Sequence, residues 1–220
     1  MKIKLTALFA LFAITACSKL DVVGNDSIRA FNDLLESAPQ LMAEDETAWY
    51  IIAPDSPVGF IWSKNFAESP FYDVMLEFDA TPFIAAGLDP SRLPDNFILL
   101  DDNYIAVGTK LGNENLSYKG EITPLASYEH IVKMKRSSIG YHMQMDHYGI
   151  NLGNGNMFEW AKNLATNDKD IVFVLDPAPF IAAGTDPARI EGWNFAKVTV
   201  DDENGKPVQV DKILKPFNLK

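Results

Sequence analysis

The chain contains little that would fix a fold covalently or announce a reaction. It has one cysteine, Cys17, among 220 residues, so no disulfide can form within it. No GxSxG, HExxH or CxxC pattern occurs, and residues 152–156 (LGNGN) lack the length and the lysine of a phosphate-binding loop. The sequence therefore lacks the signatures of serine hydrolases, zinc peptidases, thiol oxidoreductases and P-loop nucleotide hydrolases.

Basic residues are also scarce. The chain has 19 lysines and arginines against 30 aspartates and glutamates, which gives a formal net charge of −11 at pH 7. Such a chain is repelled by phosphate backbones and by anionic lipid head groups. We therefore expect no binding to nucleic acid.

Apolar runs long enough to cross a membrane are absent. The one nearly unbroken apolar run that stands out lies at the start of the chain. Residues 5–16 read LTALFALFAITA and follow Lys2 and Lys4. A helix needs about 20 apolar residues to cross a hydrocarbon core of roughly 30 Å, so this run is too short to span a membrane. A basic start followed by a short apolar run is typical of an export signal, which we predict over residues 1–16.

The end of this run resembles the lipobox of a bacterial lipoprotein precursor. An aliphatic residue and two small ones, Ile14-Thr15-Ala16, precede Cys17. The resemblance implies cleavage before Cys17, a diacylglycerol on its thiol and a further acyl chain such as palmitate on its amine. Two or more chains anchor a protein stably to a membrane. An ordinary cleavable signal with a chance cysteine is the alternative.

The same resemblance implies a location in the cell envelope. Ser18, rather than an aspartate, follows the cysteine and favours the outer membrane facing the periplasm in a cell with two membranes. In a cell with one membrane the protein would lie at the cell surface. Residues 17–25 are then the acylated cysteine and a short tether to the folded part.

One segment of the sequence occurs twice. Residues 82–93 read PFIAAGLDPSRL and residues 179–190 read PFIAAGTDPARI. The match extends upstream, where Asp79 aligns with Asp176, and a looser overlay of residues 49–62 on 141–152 pairs Asp55 with Asp146. Repeats of this kind indicate a tandem duplication. We predict a first unit over residues 26–120 and a second over residues 121–220.

The hydrophobic period of each unit predicts an α+β fold. Helices are expected at residues 27–42, capped by Asp26 or Ser27, and at residues 123–136. Each helix is followed by a mainly antiparallel sheet with a short helix inserted, and the two sheets can pair into one continuous sheet. In the second unit Val172 and Val174 make one strand apolar on both faces, which indicates a doubly covered strand or the wall of a pocket.

The duplicated segment itself is predicted to be scaffold. In each copy a glycine can end a short helix in the left-handed conformation, an aspartate can cap a turn before a proline, and an arginine lies within reach of that aspartate. No nucleophile or acid–base pair accompanies them. The residues concerned are Pro82, Gly87, Asp89 and Arg92 in the first copy and Pro179, Gly184, Asp186 and Arg189 in the second.

Residues 142–147 (HMQMDH) are the best candidates for chemistry. On an extended strand Met143, Met145 and His147 share one face, with His142 beside them. Thioether and imidazole ligands suit Cu(I), so this stretch predicts a soft-metal site, or else a haem-handling one. The alternative is an ordinary core strand, because methionine is a common gap filler and the first unit has Ile52 and Pro54 at the matching positions.

Three functional hypotheses follow. We predict an envelope-anchored lipoprotein whose folded part is a non-catalytic module without a cofactor, which binds an envelope protein or a small ligand. A lipoprotein that handles copper or haem through His142, Met143, Met145 and His147 is the first alternative. An envelope enzyme without a recognisable motif is the second.

Overall fold

The computed structural model describes residues 7–66, 72–101, 103–111, 122–201 and 206–219, with side chains from residue 22 onwards except at residue 101. The α-helices are α1 (Ala7–Ser37), α2 (Thr81–Ala85), α3 (Pro124–Met134) and α4 (Pro177–Ala182). The strands of the first unit are β1 (Met42–Glu44), β2 (Ala48–Ile52), β3 (Val58–Ser63), β4 (Val74–Asp79), β5 (Phe97–Asp101) and β6 (Tyr104–Thr109). Those of the second are β7 (Ile139–His142), β8 (His147–Asn151), β9 (Met157–Ala161), β10 (Ile171–Leu175), β11 (Asn194–Asp201) and β12 (Pro207–Phe217).

The two units have the same sheet topology. Each forms a six-stranded antiparallel sheet, in the order β1-β2-β3-β4-β6-β5 in the first and β7-β8-β9-β10-β12-β11 in the second. The predicted α+β class and the two similar sheet units agree with this architecture. The prediction of one continuous sheet is wrong, because the sheets meet through their apolar faces: Phe60 and Phe158 stack with ring centroids 4.4 Å apart.

Equivalent aromatic residues of the two units touch each other. Phe31 stacks on Tyr128 at 4.1 Å, and Phe83 lies 5.0 Å from Phe180. Phe60 and Phe158 form the third such pair. When equivalent positions contact each other, the two units are related by an approximate two-fold axis, as in a symmetric dimer. The duplicated chain thus forms an internal pseudo-dimer with one shared core.

The long helices are exchanged between the units. Helix α1 of the first unit contacts β7, β8 and β9 of the second, and α3 of the second contacts β3 of the first. Ser127 Oγ donates a hydrogen bond to Ser63 O at 2.7 Å, and Trp62 Nε1 donates to Pro124 O at 3.3 Å. Each helix therefore helps to close the core of the other unit.

The first helix differs from the prediction at both ends, since it ends at Ser37 and not at residue 42. Helix α1 continues upstream through residues 17–25, where we predict a tether, and Ser27 is buried within it, donating to Gly24 O at 2.8 Å. The predicted cap at Asp26 or Ser27 is therefore wrong. Helix α3 begins as predicted, with Thr123 Oγ1 accepting from Ala126 N. No helix among the described residues is long and apolar enough to cross a membrane.

The predicted boundary between the units is not tested by the structure, whereas the predicted alignment of residues 49–62 on 141–152 is. The boundary predicted at 120/121 lies outside the described residues, between β6 and α3. The overlay of Asp55 on Asp146 is wrong: Asp55 lies in the turn between β2 and β3, whereas Asp146 lies in the turn between β7 and β8. Strand pairing instead aligns β3 with β9, so that Trp62 corresponds to Trp160.

The duplicated segments meet each other at the two-fold axis. Asp89 N donates to Ala183 O and Asp186 N donates to Ala86 O, both at 2.9 Å. The predicted caps are confirmed, since Asp89 accepts from Ser91 N and Asp186 from Ala188 N. Arg92 donates to Ala182 O of the other unit. The segment written twice is the joint between the two units.

Candidate functional site

The second sheet carries polar residues on the face turned away from the shared core. Because side chains alternate along a strand, Phe158 and Trp160 enter the core while Glu159 between them points to the opposite face. Cross-strand pairing places Gly140, Gly149 and Glu159 in one row and His142 beside His147 in the next. Five residues from three strands are thereby brought onto one patch.

This face is covered by the sheet's own far edge. His142 on edge strand β7 lies 2.8 Å, through Nε2, from the carbonyl oxygen of Thr199 on edge strand β11. The sheet therefore curls until its two edges approach each other. Val172 and Val174 are 0% and 4% exposed, so the prediction of a doubly covered strand is confirmed.

A cleft of about 190 Å³ opens beside this contact. A side-chain carbon added to Gly140 would meet nothing within 4 Å, and one added to Gly149 would approach Met157 and Glu159 at 3.0 and 3.1 Å. The two glycines thus leave the floor over Glu159 open. The cleft is lined by Gly140, Tyr141, His142, Met143, Gln144, Gly149, Met157, Glu159, Val200 and Asp201.

Two histidines flank the buried carboxylate. His142 Nδ1 lies 3.4 Å from both carboxylate oxygens of Glu159, and His147 Nδ1 lies 3.6 Å from Glu159 Oε2. Glu159 is 3% exposed and His147 is fully buried. Burial of an unpaired carboxylate costs several kcal/mol, so this group must be compensated by positive charge nearby.

The backbone determines which ring nitrogens carry hydrogen. Nε2 of His142 faces Thr199 O at 2.8 Å, and Nε2 of His147 faces Lys169 O at 2.7 Å. A carbonyl oxygen only accepts, so each Nε2 is the donor in its contact. Each Nδ1 therefore presents a lone pair to Glu159 when its ring is neutral, or an N–H to Glu159 when its ring is an imidazolium.

The pKa values of this group favour an ion pair. The hydrogen bond to Glu159 raises the pKa of His142, against the opposing effect of burial, and Asp201 adds to the rise. Burial by itself would raise the pKa of Glu159, but contacts with His142 and His147 outweigh it, and that pKa lies below its ordinary value. Both directions favour an imidazolium at His142 paired with a carboxylate at Glu159.

Of the four predicted ligand residues, the structure brings together the two histidines. His142 and His147 are cross-strand partners, because residues 143–146 form a turn and not an extended strand. The predicted common face of Met143, Met145 and His147 is therefore wrong. Both methionines lie in this turn. Met143 is 68% exposed and lines the cleft, whereas Met145 is not part of the cleft lining, and its carbonyl oxygen accepts a hydrogen bond from Asn167.

The histidine–glutamate group belongs to the second unit alone. With β3 aligned on β9, Ile61 takes the place of Glu159, while Asp45 and Ala48 take those of His142 and His147. Asp45 caps its own turn: partial burial raises its pKa, but hydrogen bonds from Tyr50, Thr47 and Ala48 bring it to about 2. The sequence signal that the prediction missed was a glutamate in the second unit at the position where the first unit has an isoleucine.

A metal centre made of charged ligands does not emerge from the described part of the chain. No group of three or more His, Cys, Asp and Glu residues there could hold a metal ion. Both ring nitrogens of His142 already have partners, Glu159 on one side and Thr199 O on the other. A metal at His142 would have to displace one of these contacts.

Comparison of the chain with protein-family models, with curated proteins and with solved structures finds no match in any of the three. The geometry of the cleft is therefore the basis for assigning a function.

The ion pair predicts a pH optimum of stability. The pKa of Glu159 is lowered by folding, so its contribution is present above about pH 4.3 and is lost as the pH falls through the folded value. The pKa of His142 is raised, so its contribution is present below about pH 6.5 and is lost as the pH rises through the folded value. The pair stabilises the fold most between these limits.

His142→Gln should therefore lower the free energy of unfolding by roughly 2 kcal/mol at pH 5.5 and by less at pH 8, because a hydrogen bond to a charged group is lost. Urea unfolding followed by tryptophan fluorescence at both pH values measures this. His130→Gln is the matched control, since His130 lies on α3 and stacks on Phe66 away from the cleft. An equal loss at the two pH values would contradict the ion pair.

Proposed function

We propose that the chain is a lipid-anchored protein of the bacterial cell envelope whose folded part binds a small ligand without chemical change. The observation that carries the proposal is Glu159, a buried carboxylate at the floor of a cleft. The equivalent position of the first unit holds Ile61, so the fold itself does not require a charge there. A costly polar group that the scaffold can do without supports a binding role.

Binding is better supported than catalysis. The lining of the cleft offers an imidazole and two carboxylates, but its described residues include no serine, cysteine or lysine that could serve as a nucleophile. The imidazole of His142 is held on both sides, by Glu159 and by Thr199 O. Such a group orients and compensates charge more readily than it shuttles protons. An envelope enzyme is therefore the weaker alternative.

Copper handling remains a second candidate because His142 and Met143, both predicted as ligands, line the same cleft as Met157. Two thioethers and an imidazole form a soft donor set for Cu(I). The ligand set would differ from the predicted one, with Met157 in place of Met145 and His147. A cleft of about 190 Å³ is small for a haem macrocycle, so copper is the better of the two predicted cofactors.

The anchor at Cys17 is the other half of the proposal. It is supported by the basic start, the short apolar run and the lipobox-like residues before the only cysteine. An anchored module meets its ligand at the membrane surface, in the periplasm or outside the cell according to the number of membranes. The net charge of −11 supports a partner other than nucleic acid.

Gly140→Leu tests the cleft. The added side chain enters open space, so we expect the free energy of unfolding to change by less than about 1 kcal/mol while the cleft is filled. Residues 18–220, wild type and variant, are incubated with small molecules extracted from bacterial envelopes, and the retained compounds are identified by mass spectrometry. The wild type should retain a compound that Gly140→Leu does not.

Ala43→Leu is the matched control. Ala43 occupies the equivalent place on edge strand β1 of the first sheet and is exposed, so this variant should retain the same compound as the wild type. If folded Gly140→Leu retains the compound equally well, the cleft is not the binding site.

A further inference from the structure

We infer that the cleft takes a small organic cation, a primary ammonium or guanidinium group on a short carbon chain, that pairs with Glu159. This inference rests on the proposed binding function and adds the chemical class of the ligand.

The charges that face the cleft select for cations. Glu159 lies at the floor and Asp201 at the end of β11 on the opposite wall, so two carboxylates face one imidazole, His142. The other described residues of the lining carry no charge at neutral pH, and none is a lysine or an arginine. The cleft is negative whether His142 is protonated or neutral, which attracts cations and repels anions.

The carboxylate of Glu159 has acceptor capacity left over. Its contacts with the imidazole nitrogens are 3.4–3.6 Å long, whereas charge-assisted N–H···O hydrogen bonds are about 2.7–2.9 Å. His147 Nδ1, fully buried and pointing at the same carboxylate, has no hydrogen-bond partner. Unfilled acceptors that converge on a buried carboxylate indicate a ligand rich in N–H donors.

The walls indicate that this cation carries carbon. The thioether of Met157, the side chain of Val200 and the bare backbone of Gly140 and Gly149 make much of the lining apolar. The volume of about 190 Å³ equals roughly six water molecules and suits a head group with a few methylenes. An apolar wall would contribute nothing to a bare metal ion, but it packs against an alkyl chain.

The test is a titration of residues 18–220 with n-butylammonium and with guanidinium, followed by the backbone amide resonances of Gly140 and Gly149. Butyrate and butanol are the anionic and neutral comparisons, and Zn²⁺ is the metal comparison. We expect the two organic cations to shift both resonances at pH 7, and butyrate and butanol to leave them unchanged at the same concentrations.

Variants test which carboxylates recognise the cation. Glu159→Gln keeps the shape but removes the charge and should weaken n-butylammonium binding more than tenfold. Asp201→Asn should weaken binding about twofold to threefold. Asp201 is exposed and tolerates substitution, so this variant keeps the test valid if Glu159→Gln does not fold. Glu77→Gln on β4 is the control and should change nothing.

The inference is overturned if butyrate or butanol binds as tightly as the cations, or if Zn²⁺ alone shifts the resonances of the two glycines. It is also overturned if no organic cation binds while the wild type retains an envelope compound that Gly140→Leu loses. In each of these cases the cleft can still be a binding site. Only retention of that compound by Gly140→Leu removes the site itself.

Discussion

Gly184→Ala should lower the free energy of unfolding by about 3 kcal/mol or more. Gly184 has a φ of +101°, which costs a non-glycine residue roughly 1–2 kcal/mol. An added Cβ would also lie 2.9 Å from Gly87 O, a backbone atom that cannot move without shifting the joint. The reciprocal change, Gly87→Ala, meets Gly184 O at 2.7 Å and starts from a φ of +106°, so a similar loss is expected.

Urea unfolding of the two single variants and of the double variant measures this effect. Because both glycines form one contact, the losses should add incompletely, and the difference reports their coupling. Gly140→Ala is the control: its Cβ meets nothing within 4 Å, and Gly140 is not among the residues with positive φ. If Gly184→Ala is as stable as Gly140→Ala, the two segments do not form the joint.

Cys17→Ser should abolish lipid attachment and move the protein out of the membrane fraction. Lipidation would form a thioether at Cys17, and a serine hydroxyl cannot replace the thiol in that step. Each methylene buried in the membrane contributes about 0.8 kcal/mol to anchoring, so the loss of two or more acyl chains removes the attachment. A chain with a net charge of −11 is repelled by anionic head groups and cannot replace that attachment. The expected product is an unprocessed precursor or a soluble chain.

Metabolic labelling with radioactive palmitate and carbonate washing of membranes measure the outcome. The control is Ser18→Ala, which leaves the cysteine in place and should remain labelled and membrane-bound. If Cys17→Ser is still cleaved before residue 17 and still labelled, the proposal of an anchor at Cys17 fails. A wild type that is cleaved but never labelled would instead indicate an ordinary export signal.

The units could be predicted from the sequence, but not their arrangement. Period and repetition identified the strand that contains Val74, Leu76 and Phe78, all of which are buried as expected. The contact that decides the arrangement, Phe60 on Phe158, joins residues far apart, and no local pattern encodes it. One continuous sheet was therefore as consistent with the sequence as two sheets packed face to face.

The sequence predicted the two histidines of the candidate site but not Glu159, for a similar reason. The closeness of His142 and His147 follows from the register of one hairpin, although the prediction reached it through an extended strand that does not exist. Glu159 joins them from a third strand, so only the correct alignment of β3 on β9 would have exposed its replacement of Ile61. The loose overlay of residues 49–62 on 141–152 concealed that difference.

The exchanged helices have a consequence for how the chain acquires its fold. Helix α1 needs β7, β8 and β9, which lie about a hundred residues further along the sequence. Contacts of such long range slow folding, because a large loop must close before they stabilise anything. The first half therefore cannot complete its core while the second half is still being synthesised. A chain that stays unfolded until its C-terminal half emerges is well suited to threading through a membrane before it folds.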